Sequence, residues 1–105
     1  MSVKIQFDGE ILYCRLCGEI DHHTTLPIRL EIDDRIENCR PKNTVLDFTD
    51  VTFMDSSGIG MIMGRYKRIC MLGGEVCAVH TNERMKKVLT MSGVTKIVQI
   101  YEEEQ

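Results

Sequence analysis

The fold follows from residues 53–63, FMDSSGIGMIM, because a strand pattern gives way here to a helix pattern. The run just before them, residues 44–48 (TVLDF), is short and apolar, as a buried strand would be. Beyond them the apolar residues recur at the three-and-four spacing of one helical face: Ile59, Ile62, Met63, Tyr66, Ile69 and Leu72. Ser56 and Ser57 therefore fall at a helix start, where unpaired backbone amides and the helix dipole favour a negative charge.

The sequence before this stretch predicts a hairpin and a first helix. Two apolar-rich runs, residues 3–7 and 11–17, are separated by an Asp-Gly pair, which is typical of a β-hairpin. Residues 18–23 then predict a turn. The helix after it ends before Pro41. Its buried stripe consists of Ile28, Ile32, Ile36 and Cys39, and its water-facing side carries Asp33, Asp34 and Glu37.

The sequence after this stretch continues the alternation of helix and strand. Gly73-Gly74 ends the second helix, and a third helix lies between a cap at Thr81 or Asn82 and Ser92-Gly93. The last two strands and a loose end are predicted at residues 75–79, 97–101 and 102–105. Such alternation requires parallel strands joined by helical crossovers. We therefore predict one α/β domain over residues 1–105, with a mixed five-stranded sheet, mostly parallel but with an antiparallel N-terminal edge strand, and about three helices.

The composition narrows the class of protein. The net charge is −3, from 16 acidic and 13 basic residues, and no dense basic block is present, which argues against a direct nucleic acid partner. No apolar run reaches the roughly 20 residues of a membrane span, and the first ten residues lack an export signal. We therefore expect a cytoplasmic protein without a membrane partner, and its five cysteines should be reduced thiols.

Two polar segments are expected at one rim of the sheet. In open α/β sheets, sites lie where the carboxyl ends of the strands meet the following helices. This rule places Asp21-His22-His23 beside Asp55-Ser56-Ser57-Gly58. Adjacent histidines usually diverge and no further cluster completes a shell, so no metal site is predicted. Cys14 and Cys17 should project from opposite faces of a strand, so they are interpreted as core thiols.

The helix start has an ordinary structural interpretation beside the functional one. Asp and Ser are both favoured N-caps, so Asp-Ser-Ser-Gly could serve only to begin a helix. However, Gly58, Gly60 and Gly64 each cost about 0.5–1 kcal/mol relative to alanine inside a helix. A helix that repeats this penalty presents bare backbone to a strand, a ligand or another protein. Met61 is a candidate for facing away from the sheet and contacting a partner. Neither the dinucleotide fingerprint nor a Walker lysine is present, and no cofactor is predicted.

Four short segments carry a resemblance to a known family: GEIDHHT at residues 18–24, FMDSSGIG at 53–60, GRYK at 64–67 and MSG at 91–93. In these segments the chain resembles the STAS domain family, and within it the sporulation branch, the anti-sigma F factor antagonists. The Asp-Ser-Ser-Gly element marks phosphorylatable antagonists generally. The other segments narrow the resemblance to the sporulation branch.

The resemblance implies a non-enzymatic, partner-switching regulator. Ser56 would be phosphorylated by an anti-sigma factor that is itself a serine kinase, and a PP2C-type phosphatase would restore the binding form. The unphosphorylated form would bind the kinase and displace the sigma factor. By the same analogy, the docking surface would comprise Asp21, His22, His23, Asp55, Ser57, Gly58, Ile59 and Gly60. The alternatives are a STAS-type nucleotide-binding or scaffold module of a sensory complex and, third, a small hydrolase, although the G-x-S-x-G elbow is absent.

Overall fold

A computed structural model describes residues 2–96 and 98–101. The strands are β1 (Ser2–Phe7), β2 (Ile11–Ile20), β3 (Asn43–Met54), β4 (Glu75–Val79) and β5 (Gln99–Tyr101). The helices are α1 (Thr25–Cys39), α2 (Ser57–Met71) and α3 (Glu83–Ser92), with a 3₁₀ turn at Val94–Lys96. Within the described ranges, no helix combines the length and apolarity needed to cross a bilayer.

The five strands form one sheet in the order β1-β2-β3-β4-β5. β1 pairs antiparallel with β2, and all other neighbours are parallel. The predicted fold class is therefore confirmed. β2 shows how the sequence specifies the sheet, because Leu12, Cys14 and Leu16 alternate along it and are fully buried. They pack in one core with the α1 stripe of Ile28, Ile32 and Ile36.

Two strands are longer than predicted. β2 continues to Ile20, so the turn predicted over residues 18–23 begins only at Asp21. β3 continues to Met54 instead of ending at Phe48. Its pairing with β4 stops at Asp47, and beyond that point it pairs with β2 alone through an irregular register. This segment is a sheet edge on which Val51 and Met54 are buried between exposed, mostly polar residues, so it lacks the continuous apolar pattern expected of a buried strand.

The buried side of α2 is rotated from the predicted one. Its buried residues are Gly58, Met61, Ile62, Arg65 and Ile69. Four residues of the predicted face are only partly buried: Ile59, Met63, Tyr66 and Leu72. The expectation that Met61 faces outward is wrong, since its side chain is 0% exposed.

A charged residue explains this rotation of α2. Arg65 turns inward because it pairs with Asp33 of α1. The expectation that Asp33 faces water is therefore also wrong.

The helix ends agree with the predicted caps. Gly73 has a φ of +82°, the left-handed conformation in which glycine is favoured, and Gly93 has a φ of +85°. α1 ends at Cys39, before Pro41, as predicted. The predicted fifth strand includes Ile97, which lies outside the described residues, as does the predicted loose end at 102–105.

Candidate functional site

The corner between β3 and α2 is organised by Asp55. Its Oδ1 accepts hydrogen bonds from the Ser57 amide at 2.8 Å and from the Ser57 hydroxyl at 2.5 Å. These two bonds hold the pKa of the Asp55 carboxyl below its usual range, because they stabilise the charged form. The side chain that caps the start of α2 is therefore Asp55 and not one of the two serines.

Ser56 occupies the N-cap position of α2, but its side chain does not cap the helix. Its side chain makes no cap hydrogen bond, and its backbone, with φ −64° and ψ −14°, is already helical. The residue is exposed. Because Asp55 performs the capping, the Ser56 hydroxyl is accessible from solvent and its removal leaves no helix amide without a partner.

The backbone amides at this helix tip are more fully paired than the sequence indicated. The Ser57 amide donates to Asp55 Oδ1, the Gly58 amide to the Asp55 carbonyl at 3.0 Å, and the Ile59 amide to the Ser56 carbonyl at 3.1 Å. The expectation of unpaired amides is wrong for these three, because the chain makes tight turns before the helix becomes regular. A negative charge on Ser56 would therefore be stabilised mainly by the helix dipole.

The three glycines of α2 have different surroundings. A β-carbon on Gly58 would lie 2.3 Å from Met54 Sδ and 2.4 Å from its Cγ, so the close neighbour there is the end of β3. At Gly60 and Gly64, no heavy atom of the described chain lies within 4 Å of the same position, apart from the adjacent residues and the local helix backbone. Packing within the chain thus accounts for Gly58, whereas Gly60 and Gly64 present bare backbone to open space.

The other half of the rim is a closed turn around Asp21. Its Oδ1 accepts from the amides of His23 at 2.9 Å and Thr24 at 3.0 Å, while Thr24 Oγ1 accepts from the Asp21 amide at 3.1 Å. These interactions, the His23 bond foremost, lower the pKa of Asp21. The turn leads directly into α1, and it holds the Asp21 side chain in one orientation.

The two histidines of this turn do not diverge as expected. The ring centroids of His22 and His23 are 3.9 Å apart, and the ring planes are tilted by 39°. Both residues are exposed. Across the ranges 2–96 and 98–101, no group of three or more His, Cys, Asp or Glu side chains could hold a metal ion. The stacked rings form an exposed aromatic surface at the start of α1.

The two halves of the rim meet in the structure. The Asp55 amide donates to the Ile20 carbonyl at 3.1 Å, which joins the end of β3 to the end of β2. Beyond the Ser57 hydrogen bonds, the negative charge of Asp21 raises the pKa of Asp55 and His22 lowers it, so these side chains interact electrostatically. The Asp21 turn and the start of α2 therefore lie beside each other at the carboxyl end of the sheet, where Gly58 is buried and the other proposed site residues are exposed or half-buried.

Three exposed apolar residues near this surface were not singled out from the sequence. Phe53 is 45% exposed two residues before Asp55, and Leu26 and Leu30 on α1 are 52% and 61% exposed. The spacing of α1 does contain the signal, because Leu26 and Leu30 are four residues apart and both lie off the stripe of buried isoleucines. The exposure of Phe53 could not be predicted, because residue type alone does not show whether an apolar side chain near the end of a strand is exposed or buried.

The comparisons with known proteins agree with this geometry. The family model of the STAS domain matches residues 2–105. The chain is 38% identical to the anti-sigma F factor antagonist of Paenibacillus polymyxa over 104 residues, which cover 99% of this chain and 89% of the relative.

Two solved structures of a similar protein bear on the candidate site. The unphosphorylated form of the anti-sigma factor antagonist SpoIIAA superposes with a TM-score of 0.82 at 27% identity, covering 94% of this chain and 87% of that one. The phosphorylated form of the Bacillus cell fate determinant SpoIIAA gives a TM-score of 0.74 at 28% identity, covering 94% and 90%. The chain therefore belongs to the STAS domain family, in its group of anti-sigma factor antagonists.

Proposed function

We propose that this protein is a non-enzymatic, cytoplasmic regulator whose binding to an anti-sigma factor serine kinase is switched off by phosphorylation of Ser56. The observation that carries this proposal is the Ser56 hydroxyl, which is exposed at the start of α2 and is not used as a cap. A kinase can reach this oxygen, and its modification breaks no hydrogen bond of the fold. The similarity to a protein solved in both phosphorylated and unphosphorylated forms supports the assignment.

Phosphorylation at this point changes the charge of the surface more than the fold beneath it. A phosphoserine carries about −1.5 to −2 charges at neutral pH. The dipole of α2 favours this charge at the helix start, so the folded state tolerates it. The same phosphate lies next to the Asp55 carboxylate and near Asp21, which already interact. A partner that binds this acidic rim in its neutral-serine form therefore meets added repulsion and desolvation.

The proposed docking surface is the rim as a whole. It comprises the exposed and half-buried residues of both halves: Asp21, His22, His23, Asp55, Ser57, Ile59 and Gly60. Gly58, which the sequence also predicted for this surface, is buried against Met54 and supports it from beneath. Gly60 supports this assignment, because its bare backbone faces open space and a partner's main chain could approach it closely. The unphosphorylated rim would bind the kinase so that the sigma factor is released. A PP2C-type phosphatase would then remove the phosphate and restore binding, without direct contact to nucleic acid or membrane.

The experiment is intact-mass measurement after incubation with the cognate anti-sigma kinase and ATP. We expect the addition of one phosphate to the wild-type chain and none to Ser56→Ala. Ser57→Ala is the matched control, since it is the neighbouring hydroxyl but is hydrogen-bonded to Asp55. Labelling that persists in Ser56→Ala would refute the assignment. Retained nucleotide without kinase binding would favour the alternative of a nucleotide-binding STAS module.

The electrostatic part of the proposal needs its own variants. Ser56→Asp should fold normally and bind the kinase at least about tenfold more weakly, which corresponds to about 1.4 kcal/mol. Ser56→Asn is the control, because it has a similar size without the charge. Equal affinities of the Asp and Asn variants, measured by calorimetric titration, would show that charge does not drive release.

A further inference from the structure

A buried ion pair joins the two helices that begin at the rim. Arg65 of α2 and Asp33 of α1 have side chains only 8% and 16% exposed, and Arg65 Nε lies 2.7 Å from Asp33 Oδ1. Arg65 Nη2 also donates to Asp33 Oδ2 at 3.1 Å, and Nη1 donates to the Met61 carbonyl at 3.2 Å. Arg65 therefore holds the carboxylate by one hydrogen bond from Nη2, beside a close Nε–Oδ1 ion pair that lacks hydrogen-bond geometry, and the Nη2 bond is sensitive to both distance and orientation.

The pair lies at the same depth in both helices. Asp33 is nine residues beyond Thr24, the N-cap of α1, and Arg65 is nine residues beyond Ser56, the N-cap of α2. At 1.5 Å per residue, each is roughly 13 Å from the rim. Both helices follow parallel strands, so they run in the same direction away from the rim. The contact consequently sets how far one helix is shifted along the other.

A second contact fixes the same two units at the rim itself. There the Asp55 amide donates to the Ile20 carbonyl, which connects the strand ends that precede the two helices. The buried apolar residues Met61, Ile62 and Ile69 hold α2 on the core, but apolar contacts are less directional than hydrogen bonds. Two connections separated by roughly 13 Å define both the position and the tilt of the first turn of α2.

We propose that Arg65 and Asp33 are a positioning pair, which holds Ile59 and Gly60 in the correct place relative to the Asp21-His22-His23 turn for partner binding. The inference rests on the proposed function, because the affected property is affinity for the anti-sigma kinase. Neither residue touches the partner. Their effect is transmitted through the rigid first turns of α1 and α2.

Stability alone does not explain the presence of this pair. Taking two charges out of water is unfavourable, and apolar replacements of buried ion pairs are often neutral or stabilising. Directional geometry is what an apolar pair lacks, since methyl and methylene contacts tolerate sliding whereas a hydrogen-bonded ion pair does not. An apolar pair at these positions should therefore keep the fold and lose the precise arrangement of the rim.

The experiment uses the double variant Arg65→Met/Asp33→Leu and the unphosphorylated full chain. We expect a urea unfolding midpoint at or above that of the wild type, together with affinity for the kinase weakened at least tenfold. The control is Glu37→Gln, which removes the half-exposed ion pair between Arg68 and Glu37 of the same helices, leaves the contact of Arg68 with Asp33 in place and should leave affinity unchanged. If the double variant folds and binds the kinase like the wild type, the positioning role is refuted.

Two further measurements keep the inference testable. The change in the pKa of Asp55 caused by Asp21→Asn, measured by NMR titration of the carboxyl carbon, should be smaller in the double variant than in the wild type. This readout needs no partner, so failure of the wild type to bind the kinase would refute the proposed function without deciding the positioning role. If the double variant does not fold, Arg65→Lys keeps the charge but lacks the planar guanidinium that donates from both Nη1 and Nη2, and it should weaken affinity severalfold. Wild-type affinity in that variant would overturn the inference.

Discussion

Gly58→Ala tests whether the start of α2 is packed directly on the end of β3. The new β-carbon would lie 2.3 Å from Met54 Sδ, far inside van der Waals contact, and Met54 is itself buried. Alanine favours the helix over glycine by about 0.5–1 kcal/mol, whereas overpacking a buried site costs about 1–3 kcal/mol. We therefore expect a free energy of unfolding that is unchanged or lower by up to about 2.5 kcal/mol.

Gly60→Ala is the matched control, because it makes the same change in the same helix where a β-carbon would meet no other part of the described chain within 4 Å, apart from the adjacent residues and the local helix backbone. Only the helix-propensity gain applies there, so this variant should be more stable by about 0.5–1 kcal/mol. The two variants should thus differ by about 1–3 kcal/mol, the full overpacking term. Urea unfolding with a common slope would measure this difference.

The collision can also be removed instead of created. In a Met54→Ala background, Gly58→Ala should become stabilising, because the sulfur that it meets is gone. A double-mutant cycle over the two positions would then show coupling of the same sign and size as the difference between Gly58→Ala and Gly60→Ala. If Gly58→Ala is as stable as Gly60→Ala in the wild-type background, Met54 moves aside without cost and the packing argument is wrong.

Two further predictions concern hydrogen-bonded side chains. Asn82→Ala should lower the free energy of unfolding by about 0.5–2 kcal/mol, since Asn82 Oδ1 caps α3 through the Met85 amide at 2.8 Å; chemical denaturation should show no comparable loss for Ser56→Ala, which removes no cap bond. Burial alone would raise the pKa of Asp47, yet hydrogen bonds from Thr49 and the Tyr13 hydroxyl lower it overall. The ionised form of Asp47 therefore stabilises the fold above about pH 3.9, the usual pKa in the unfolded state, and this contribution is lost as the pH falls through the lowered pKa of the folded state. The difference in free energy of unfolding between wild type and Asp47→Asn should therefore shrink from pH 7 to pH 3. A constant difference would contradict the assignment.

The sequence predicted best those elements whose signal is local and repetitive. Alternation of Leu12, Cys14 and Leu16 marks β2, all three are fully buried, and the predicted hairpin partner is confirmed. The order of strands and helices is confirmed for the same reason, since each element is amphipathic or fully apolar and is bounded by glycine, proline or a capping residue. Because parallel crossovers follow from that order, the topology of the sheet could be predicted as well.

The sequence failed where a residue's environment depends on a distant partner. Asp33 looks like a solvent-facing acid on α1, and Arg65 looks like a solvent-facing base on α2. The two residues are 32 positions apart, and each accounts for the other's burial. Because the sequence pattern places charged residues on the solvent side, it predicted the wrong buried face for α2. The second half of β3 was not predicted for a similar reason, because its pairing with β2 alone is a property of the sheet edge and not of its own residues.

The division of work between Asp55 and Ser56 could not be predicted from residue types, because both are favoured N-caps and they are adjacent. The decision lies in the backbone. The backbone of Ser56 is already helical, so the side chain that accepts from the Ser57 amide is that of the preceding residue, Asp55. This arrangement separates two roles that often compete. A hydroxyl that capped the helix would lose its bond on phosphorylation and would be shielded from a kinase, whereas Asp55 keeps the helix start intact in either state of Ser56. The cap is also the nearest negative charge to the proposed phosphate, so one carboxylate both stabilises the fold and adds to the repulsion on which the proposed release depends.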